Sequence, residues 1–534
     1  MVKNEHIIGE RLAAVLPQLD KPWYRTPHLL QLNFYILWVC FSAAGMGFDG
    51  SMMNGLQSLS TWSDYFHNPN SALLGVTNAV LNLGPILFGG VVAWIADRFG
   101  RRITLQIGCG VIIAASIIQT AAQNLAMFIV ARFIIGVGIE FCMVPSPVLT
   151  TELAYPTHRA TFTSLCYTFY FVGSILSSWT TFGTYSMNTS TWTWRIPSLL
   201  QLAIPSIQFV VLFWVPESPR WLMSKGRHEE AKRFFVKYHA NGDESSPLVE
   251  HEIQDIHQHL AIQESLGPLT WKRLWKTPAD RKRLVLVLYL SVMTQWCGNG
   301  VISYYLSLIL NSVGITGSRD KTLINAILQI VSWAAAIIGS VLVERVGRRP
   351  LWLFSIAGML ASYTTWTVCS ALYTQHNTTG LAKAVLVFIF VFQVFYSVGI
   401  TPLSQSYSVE ILPFYSRQKV MAMAYVGNSC ANLFNSFVSP VALDAIGWKY
   451  YILYIALLVQ FLVIVYFFFP ETRGYALEDI AELFEERVLF HGRQKLRPGN
   501  VAAGQELEGK GIAKVEVEFV EDILQKTGDR SVDK

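Results

Sequence analysis

Three ionisable residues stand inside long apolar stretches: Asp49 in GFDGSMMNG, Arg132 in ARFIIGVG, and Glu140 eight residues further on. Charges held away from water are costly and mark sites of proton handling, ion pairing or ligand binding. Burial favours the protonated form of a carboxyl group, whereas a neighbouring guanidinium favours the charged one. Eight residues turn a helix by about 80° from the starting face, so Glu140 need not point at Arg132. It reads as a second protonatable group, a ligand for an amine or hydroxyl, or a structural acid. A second set is uncharged. Gln295 and Asn299 are four apart, with Trp296, Tyr304 and Tyr305 beside them; Gln329 and Trp333 are four apart; Asn428, Asn432 and Asn435 form an i, i+4, i+7 stripe. Gln393, Gln405 and Tyr407 add to these, as do Tyr167, Tyr170 and Trp179. Amides and rings supply the neutral hydrogen bonds and flat faces that a hydroxyl-rich ligand exchanges for water. Polar contacts between membrane helices use the same residue types. No nucleophile–base constellation, metal cluster or phosphate-cradling loop accompanies them, and GVGIE or GCGV alone mean close helix packing, so an enzyme is disfavoured and no cofactor is expected.

The elements that hold these residues are membrane helices. Apolar residues make up 52% of the 534 positions and Asp, Glu, Lys and Arg only 14%, against about 25% charged in soluble domains. Apolar runs long enough to cross a bilayer predict spans near 31–56, 71–96, 103–121, 125–148, 161–183 and 196–215, then 284–311, 322–343, 350–372, 381–405, 419–441 and 449–469. The expected fold is an all-α membrane protein of twelve spans in two six-helix bundles, residues 31–215 and 284–469. Segment 1–30 precedes them, a polar linker 216–283 joins them, and a polar tail 470–534 follows. Within the linker, EEAKRFFVKYH reads as an amphipathic helix resting on the membrane face. The N-terminus lacks a signal-peptide core, so the first span serves as the insertion signal.

Basic residues orient the chain. Arg98, Arg101 and Arg102 close span 2, the linker is rich in Lys and Arg, and Arg348, Arg349, Arg417 and Lys419 follow spans 8 and 10. With twelve spans all fall on one side, which is therefore expected to be cytoplasmic, as are both termini. The two N-x-[ST] sequons, at Asn188 and Asn377, fall in loops on the other side and are candidate glycosylation sites. All seven cysteines lie in apolar segments without metal-ligand spacing and read as small packing residues.

Acid–base motifs recur in order at nearly constant spacing. Asp97-Arg98-Phe99-Gly100-Arg101-Arg102 after span 2 matches Glu344-Arg345-Val346-Gly347-Arg348-Arg349 after span 8. Glu152 and Arg159 match Glu410 and Arg417; Pro216-Glu217-Ser218-Pro219-Arg220 matches Pro470-Glu471-Thr472-Arg473. Such a repeat indicates duplicated halves, the architecture of alternating access about a midplane site. The paired acids predict a cytoplasmic latch of ion pairs within each half and across to the other, locked in one state and broken in the next. Exposed pairs of about 0–1 kcal/mol each make a latch that can break.

These motifs resemble the major facilitator superfamily, specifically its sugar porter family, over roughly residues 30–485. DRFGRR, PESPRWL, ERVGRR and PETRGYALEDI carry the resemblance. TELAYPTHR, QWCGNGVISYY, EILPFYSR and PVALDAIGWKYY are similar to the fungal lactose and cellodextrin permease branch. The sequence departs from the family pattern at Ala93, at Thr294 in the usual glutamine pair, at Gly300, and at Gln405 and Ser429 where tryptophans are usual. The resemblance implies a fungal source and a monomeric plasma-membrane carrier of a disaccharide or hexose. It also pairs Asp49 with Arg132: the acid takes up a proton and the arginine gates its affinity, which implies proton symport driven by the proton gradient. Two other readings stay open, transport of another polar or secondary metabolite on the same fold and a sugar sensor without net transport.

Overall fold

The computed structural model describes residues 16–17, 23–187, 189–265, 274–275, 277–412, 414–473 and 484; a few side chains inside these ranges, including Glu344 and Gln405, are left undescribed. Twelve helical spans follow the expected order. In the first half they are Pro27–Gln57, Ser71–Phe99, Arg101–Thr120, Leu125–Leu153, Arg159–Thr184, and a sixth in two pieces, Trp192–Leu200 and Ala203–Val211. In the second half they are Pro278–Ser312, Ser318–Val346, Arg348–His376, Thr379–Ile411, Phe414–Ile446 and Tyr450–Phe468. Eight stretches among the described residues meet a bilayer-crossing length and apolarity outright, one of them, Lys419–Phe468, holding two helices. Span 6 is too interrupted to qualify by itself, while spans 5 and 9 carry many hydroxyl residues.

Local chemistry sets the ends. Asn70 and Asn124 side chains accept from the N–H of Leu73 and Met127, and Thr277 accepts from Asp280 N; these are N-caps. Proline opens the linker helix Pro219–Ser224 and span 7. Several spans are interrupted along their length. Span 1 breaks at Phe41, span 4 before Pro145, and span 7 at Gly298, whose φ of 95° is left-handed. Discontinuous helices of this kind expose backbone groups at transporter sites.

Each half has its own apolar core. One cluster runs through spans 7–12, including Trp352, Tyr363, Trp366 and Phe392. The first half has one around Leu32, Ile112, Ile135 and Leu212 and another around Phe48, Trp62, Phe128 and Trp194, with a small one joining Leu29 and Tyr155 to Leu248 of the linker. Among the described residues no apolar core cluster joins the two halves, so the bundles can shift without tearing a shared core.

The amphipathic linker helix His228–Tyr238 packs its apolar face on the first bundle: Phe234, Phe235 and Tyr238 enter the first-half core, and beyond it His239 bonds Glu252 at 2.7 Å and the Leu153 carbonyl at 3.2 Å. One expectation needs correction: not all cysteines are mere packing residues. Cys40 and Cys166 form a disulfide between spans 1 and 5. The cause is close approach: a Cβ on Gly47 would strike the Tyr170 carbonyl, and one on Gly173 the Ala44 carbonyl. Two bare glycines thus seat the helices near enough for the sulfurs to meet.

Candidate transport site

Asp49 and Arg132 are both 0% exposed and meet face to face. Arg132 Nη1 donates to Asp49 Oδ1 at 3.2 Å and Nη2 to Oδ2 at 3.0 Å; Arg132 Nε donates to the Thr77 carbonyl at 2.8 Å. Gln201 Nε2 adds a third donor to Asp49 Oδ1 at 3.0 Å. One carboxylate thus ties spans 1, 2, 4 and 6 together. Fork-to-fork geometry of this kind is the strong form of a charge-assisted hydrogen bond. Gln201, at the break of span 6, was missed by sequence reasoning; a lone amide in an apolar run beside two prolines, Pro197 and Pro205, was the available signal.

Glu140 does not join this pair. It is 8% exposed, and its carboxyl group accepts no hydrogen bond among the described residues. Its Oε1 faces span 2, 3.2 Å from where a Gly89 Cβ would stand, with Val426 of span 11 on the same spot. It therefore sits between the halves, nearer the face that carries the acid–base motifs.

The second-half amides assemble as a network. Gln295 Nε2 donates to Asn428 Oδ1 at 3.2 Å, and Asn428 Nδ2 donates to Thr294 Oγ1 at 3.2 Å. Asn435 donates to the Gln295 carbonyl at 3.0 Å and accepts from Tyr454 at 2.6 Å. Trp296 Nε1 donates to the Ala431 carbonyl at 3.0 Å, and Tyr305 OH to the Ser436 carbonyl. Asn432 donates to Tyr304 OH at 3.2 Å and, across the halves, to Asn82 Oδ1 at 3.1 Å. Gln329 reaches Asn325 at 3.4 Å, and half-buried Trp333 lies one turn further along span 8. Asn299 Oδ1 and Gln393 Oε1 are buried without partners among the described residues. Unused hydrogen-bonding capacity of this sort is costly unless a polar ligand or water takes it up. Tyr407 instead stacks on Phe469 and donates to the Pro470 carbonyl at the motif face, while Trp179 is 40% exposed on the outside. Gln405 lies outside the described side chains.

Cross-half hydrogen bonds gather toward the face opposite the motifs. Asn54 donates to the Ile302 carbonyl at 3.2 Å and to Asn325 at 3.3 Å; Ser307 donates to the Gln57 carbonyl at 3.3 Å, and Ser71 to Asp444 at 2.9 Å. Nearer the motif face, the Tyr167 and Tyr425 hydroxyls meet at 2.5 Å.

The motif residues form two matching clusters. Arg101 pairs with Asp97 at 3.3 Å and Glu152 at 3.8 Å, and Ser218 donates to Glu152. Glu217 accepts the backbone N–H of Arg101, Arg102 and Ser218. In the second half Arg348 pairs with Glu410 at 2.9 Å, Thr472 donates to Glu410 at 2.5 Å, and Glu471 accepts the N–H of Arg348, Arg349 and Arg473. Gly100 and Gly347 turn these corners at φ 106° and 105°, and a Cβ on either would press into Glu217 or Glu471. Glycine is needed there twice over. These bonds join residues within one half, the part of the expected latch that holds each bundle's own helices together. Arg159 pairs with the linker's Glu252 at 3.9 Å rather than with Glu152. Arg417 donates to the Leu412 carbonyl, and Arg220 lies half-buried behind Glu217 in sequence. Arg98 is exposed. Asn377, an exposed left-handed C-cap of span 9, presents its sequon on the face opposite the motifs; Asn188 lies outside the described residues.

A family model described as "Sugar (and other) transporter" matches residues 35–484. The chain belongs to the sugar porter family of the major facilitator superfamily. Among curated relatives, a high-affinity glucose transporter of Kluyveromyces lactis is 29% identical over 88% of this chain and 88% of its own length. A galactose transporter of Saccharomyces cerevisiae is 29% identical over 80% of this chain and 75% of its own. The solved proton:xylose symporter XylE, bound to 6-bromo-6-deoxy-D-glucose, superposes with TM-score 0.69 at 22% identity, covering 85% of this chain and 99% of that one. An inward-open XylE from E. coli gives 0.68 at 23% identity over 85% of this chain and 99% of that one. This sugar porter is thus a multi-pass transporter with the major facilitator fold, and not an enzyme.

Proposed function

We propose that this sugar porter moves a hexose, or a disaccharide such as lactose or cellobiose, together with a proton by alternating access. The observation that carries the reading is the fully buried Asp49–Arg132 pair, tied to four spans and standing beside a cross-half network of amides. Protonation of Asp49 cancels the charge that holds both Arg132 terminal nitrogens. The ties among spans 1, 2, 4 and 6 loosen, and proton occupancy is linked to bundle position. Gln295, Trp296, Asn299, Tyr304, Tyr305, Gln329, Trp333, Gln393, Gln405, Asn428 and Asn432 are assigned to sugar hydroxyls and ring faces. The unpartnered Asn299 and Gln393 acceptors support that assignment. Bonds that gather on the sequon side and the Tyr167–Tyr425 bond nearer the motifs are read as two gates. Asp97, Glu152, Glu217, Glu410 and Glu471, with Arg101 and Arg348, are read as clamps that make each bundle's inner end move as one piece. The motif face is taken as cytoplasmic, with both termini there, in a monomeric plasma-membrane carrier glycosylated at Asn188 and Asn377.

The names of the similar proteins support the sugar: glucose and galactose for two relatives, proton and xylose for the solved neighbour. A second reading, another polar metabolite, is favoured by Glu140, a buried carboxylate facing the space between halves. The test is uptake of labelled glucose, lactose and cellobiose in a cell lacking its own sugar carriers, with and without a protonophore. Failure with every sugar overturns the substrate class. Uptake that ignores the protonophore, and survives Asp49→Asn, overturns proton coupling alone.

A further inference from the structure

Below span 3 the linker and the first bundle enclose a groove of about 350 Å³ that the transport reading leaves without a role. Its floor is apolar, with Phe99, Ile103, Trp221 and Phe234, and its rim carries Arg102, Arg227, Arg233 and Lys237 against Glu217 and Glu230. The two acids are already engaged. Glu217 accepts three backbone N–H groups, and Glu230 pairs with Arg227 at 2.6 Å. Four basic side chains against two carboxylates still leave the lining net positive by two, with Arg233 and Lys237 exposed. Arg102 is fixed by a bond from Nη1 to the Val215 carbonyl at 3.2 Å, yet its Nε is buried without a partner among the described residues. A buried guanidinium N–H without an acceptor is costly, and a phosphate oxygen satisfies it with charge.

Position narrows the anion to a lipid. The groove lies where spans 2, 3 and 6 end, and Phe99 and Ile103 on its wall are exposed. Phe213 and Trp214 at the end of span 6 are 62% and 63% exposed, as aromatic residues are at a bilayer interface. An apolar wall running into the bilayer beneath a cationic rim fits a molecule with a phosphate at one end and acyl chains at the other.

We propose that this groove is a headgroup site for an anionic phospholipid of the leaflet on the motif side, with the phosphate on Arg102, Arg233 and Lys237. A lipid seated there joins the start of span 3 to helix His228–Tyr238. It touches the residue next to Arg101, whose pairs with Asp97 and Glu152 clamp the first bundle.

The test uses the full chain in nanodiscs of phosphatidylcholine containing phosphatidylinositol, with retained lipid counted by native mass spectrometry. Because no transport is measured, a failed sugar assay leaves the result standing. The wild type should retain one phosphatidylinositol in preference to phosphatidylcholine. Arg233→Glu with Lys237→Glu, both exposed and outside the clamp, should weaken that preference at least about thirtyfold, since each basic residue contributes about 1 kcal/mol at an anionic surface and the new carboxylates repel the headgroup. The charge-matched pair Lys225→Glu with Lys232→Glu, outside the groove, should keep it. The same loss in both double variants means diffuse attraction and overturns the site, as does no loss in either. Glycerophosphoinositol or inorganic phosphate displacing the lipid at equal concentration would make this a free-anion site and overturn the lipid assignment.

Discussion

The two halves match where they meet the motif face and differ where they meet each other. Outside the membrane the correspondence is residue for residue: Glu217 with Glu471, Ser218 with Thr472, Glu152 with Glu410, Gly100 with Gly347. Inside, the first half holds Asp49, Arg132 and Glu140, while the second holds amides and phenols. The duplicated corners kept their hydrogen-bonding residues, and the interiors diverged. Charge that can accept a proton went to one side, and neutral hydrogen-bonding groups suited to hydroxyls went to the other.

The widest predicted gap between the halves is energetic. Arg132→Met leaves Asp49 buried with only Gln201 and should destabilise the protein by about 3–5 kcal/mol. Asn428→Ala in the second half should lose only about 0.6–1.7 kcal/mol. Thermal unfolding in detergent compares them, and equal losses would break the contrast.

The functional contrast comes next. Asp49→Asn should abolish concentrative, protonophore-sensitive uptake but leave sugar exchange running. Gln295→Ala should raise KM about tenfold, the equivalent of one or two hydrogen bonds, with the protonophore response intact. A change in coupling from Gln295→Ala, or in KM alone from Asp49→Asn, would erase the division of labour.

The matched corners sharpen the similarity instead. Alanine at Gly100 or Gly347 should cost roughly 1–2 kcal/mol for a left-handed Cβ, plus the push against the glutamate. Gly100→Ala should be the worse, because a Cβ there lies nearer its carboxylate than the 2.9 Å found at Gly347. Melting temperatures of the two variants rank them directly.

The smallest effect concerns pH. Burial holds the Glu217 carboxyl above its usual value of 4.5, with three backbone donors and Arg102 offsetting part of the rise. A carboxyl raised in the folded state binds its proton more tightly there than when unfolded, so its contribution is fully present below about pH 4.5 and declines as pH rises. Melting temperature relative to Glu217→Gln should therefore fall from pH 4.5 toward 7. A rise over that interval would show the backbone donors outweighing burial.

Much of the fold was legible because bilayer crossing demands apolar runs and positive charge marks one side. The repeat was legible because turns with left-handed glycines and acid–base corners admit few residue types. The site was legible only as candidates. Helical spacing placed Gln295, Asn428 and Asn435 on faces, but could not say that Asn435 would spend its donor on the Gln295 carbonyl or that Asn432 would reach Asn82. Gln201 escaped because one amide at a helix break carries no periodicity. The Cys40–Cys166 bond escaped because its cause, two glycines facing carbonyls on a neighbouring helix, is a property of a pair of spans.

The sequence by itself determined the class, the number of spans and the duplicated corners, since each follows from local composition and short-range geometry. Only the tertiary structure decided which backbone donors Glu217 and Glu471 take up, that Asp49 has three donors, and that Glu140 stands apart from Arg132. Those outcomes depend on which side chain comes nearest once helices pack, and packing is settled between distant segments rather than along the chain.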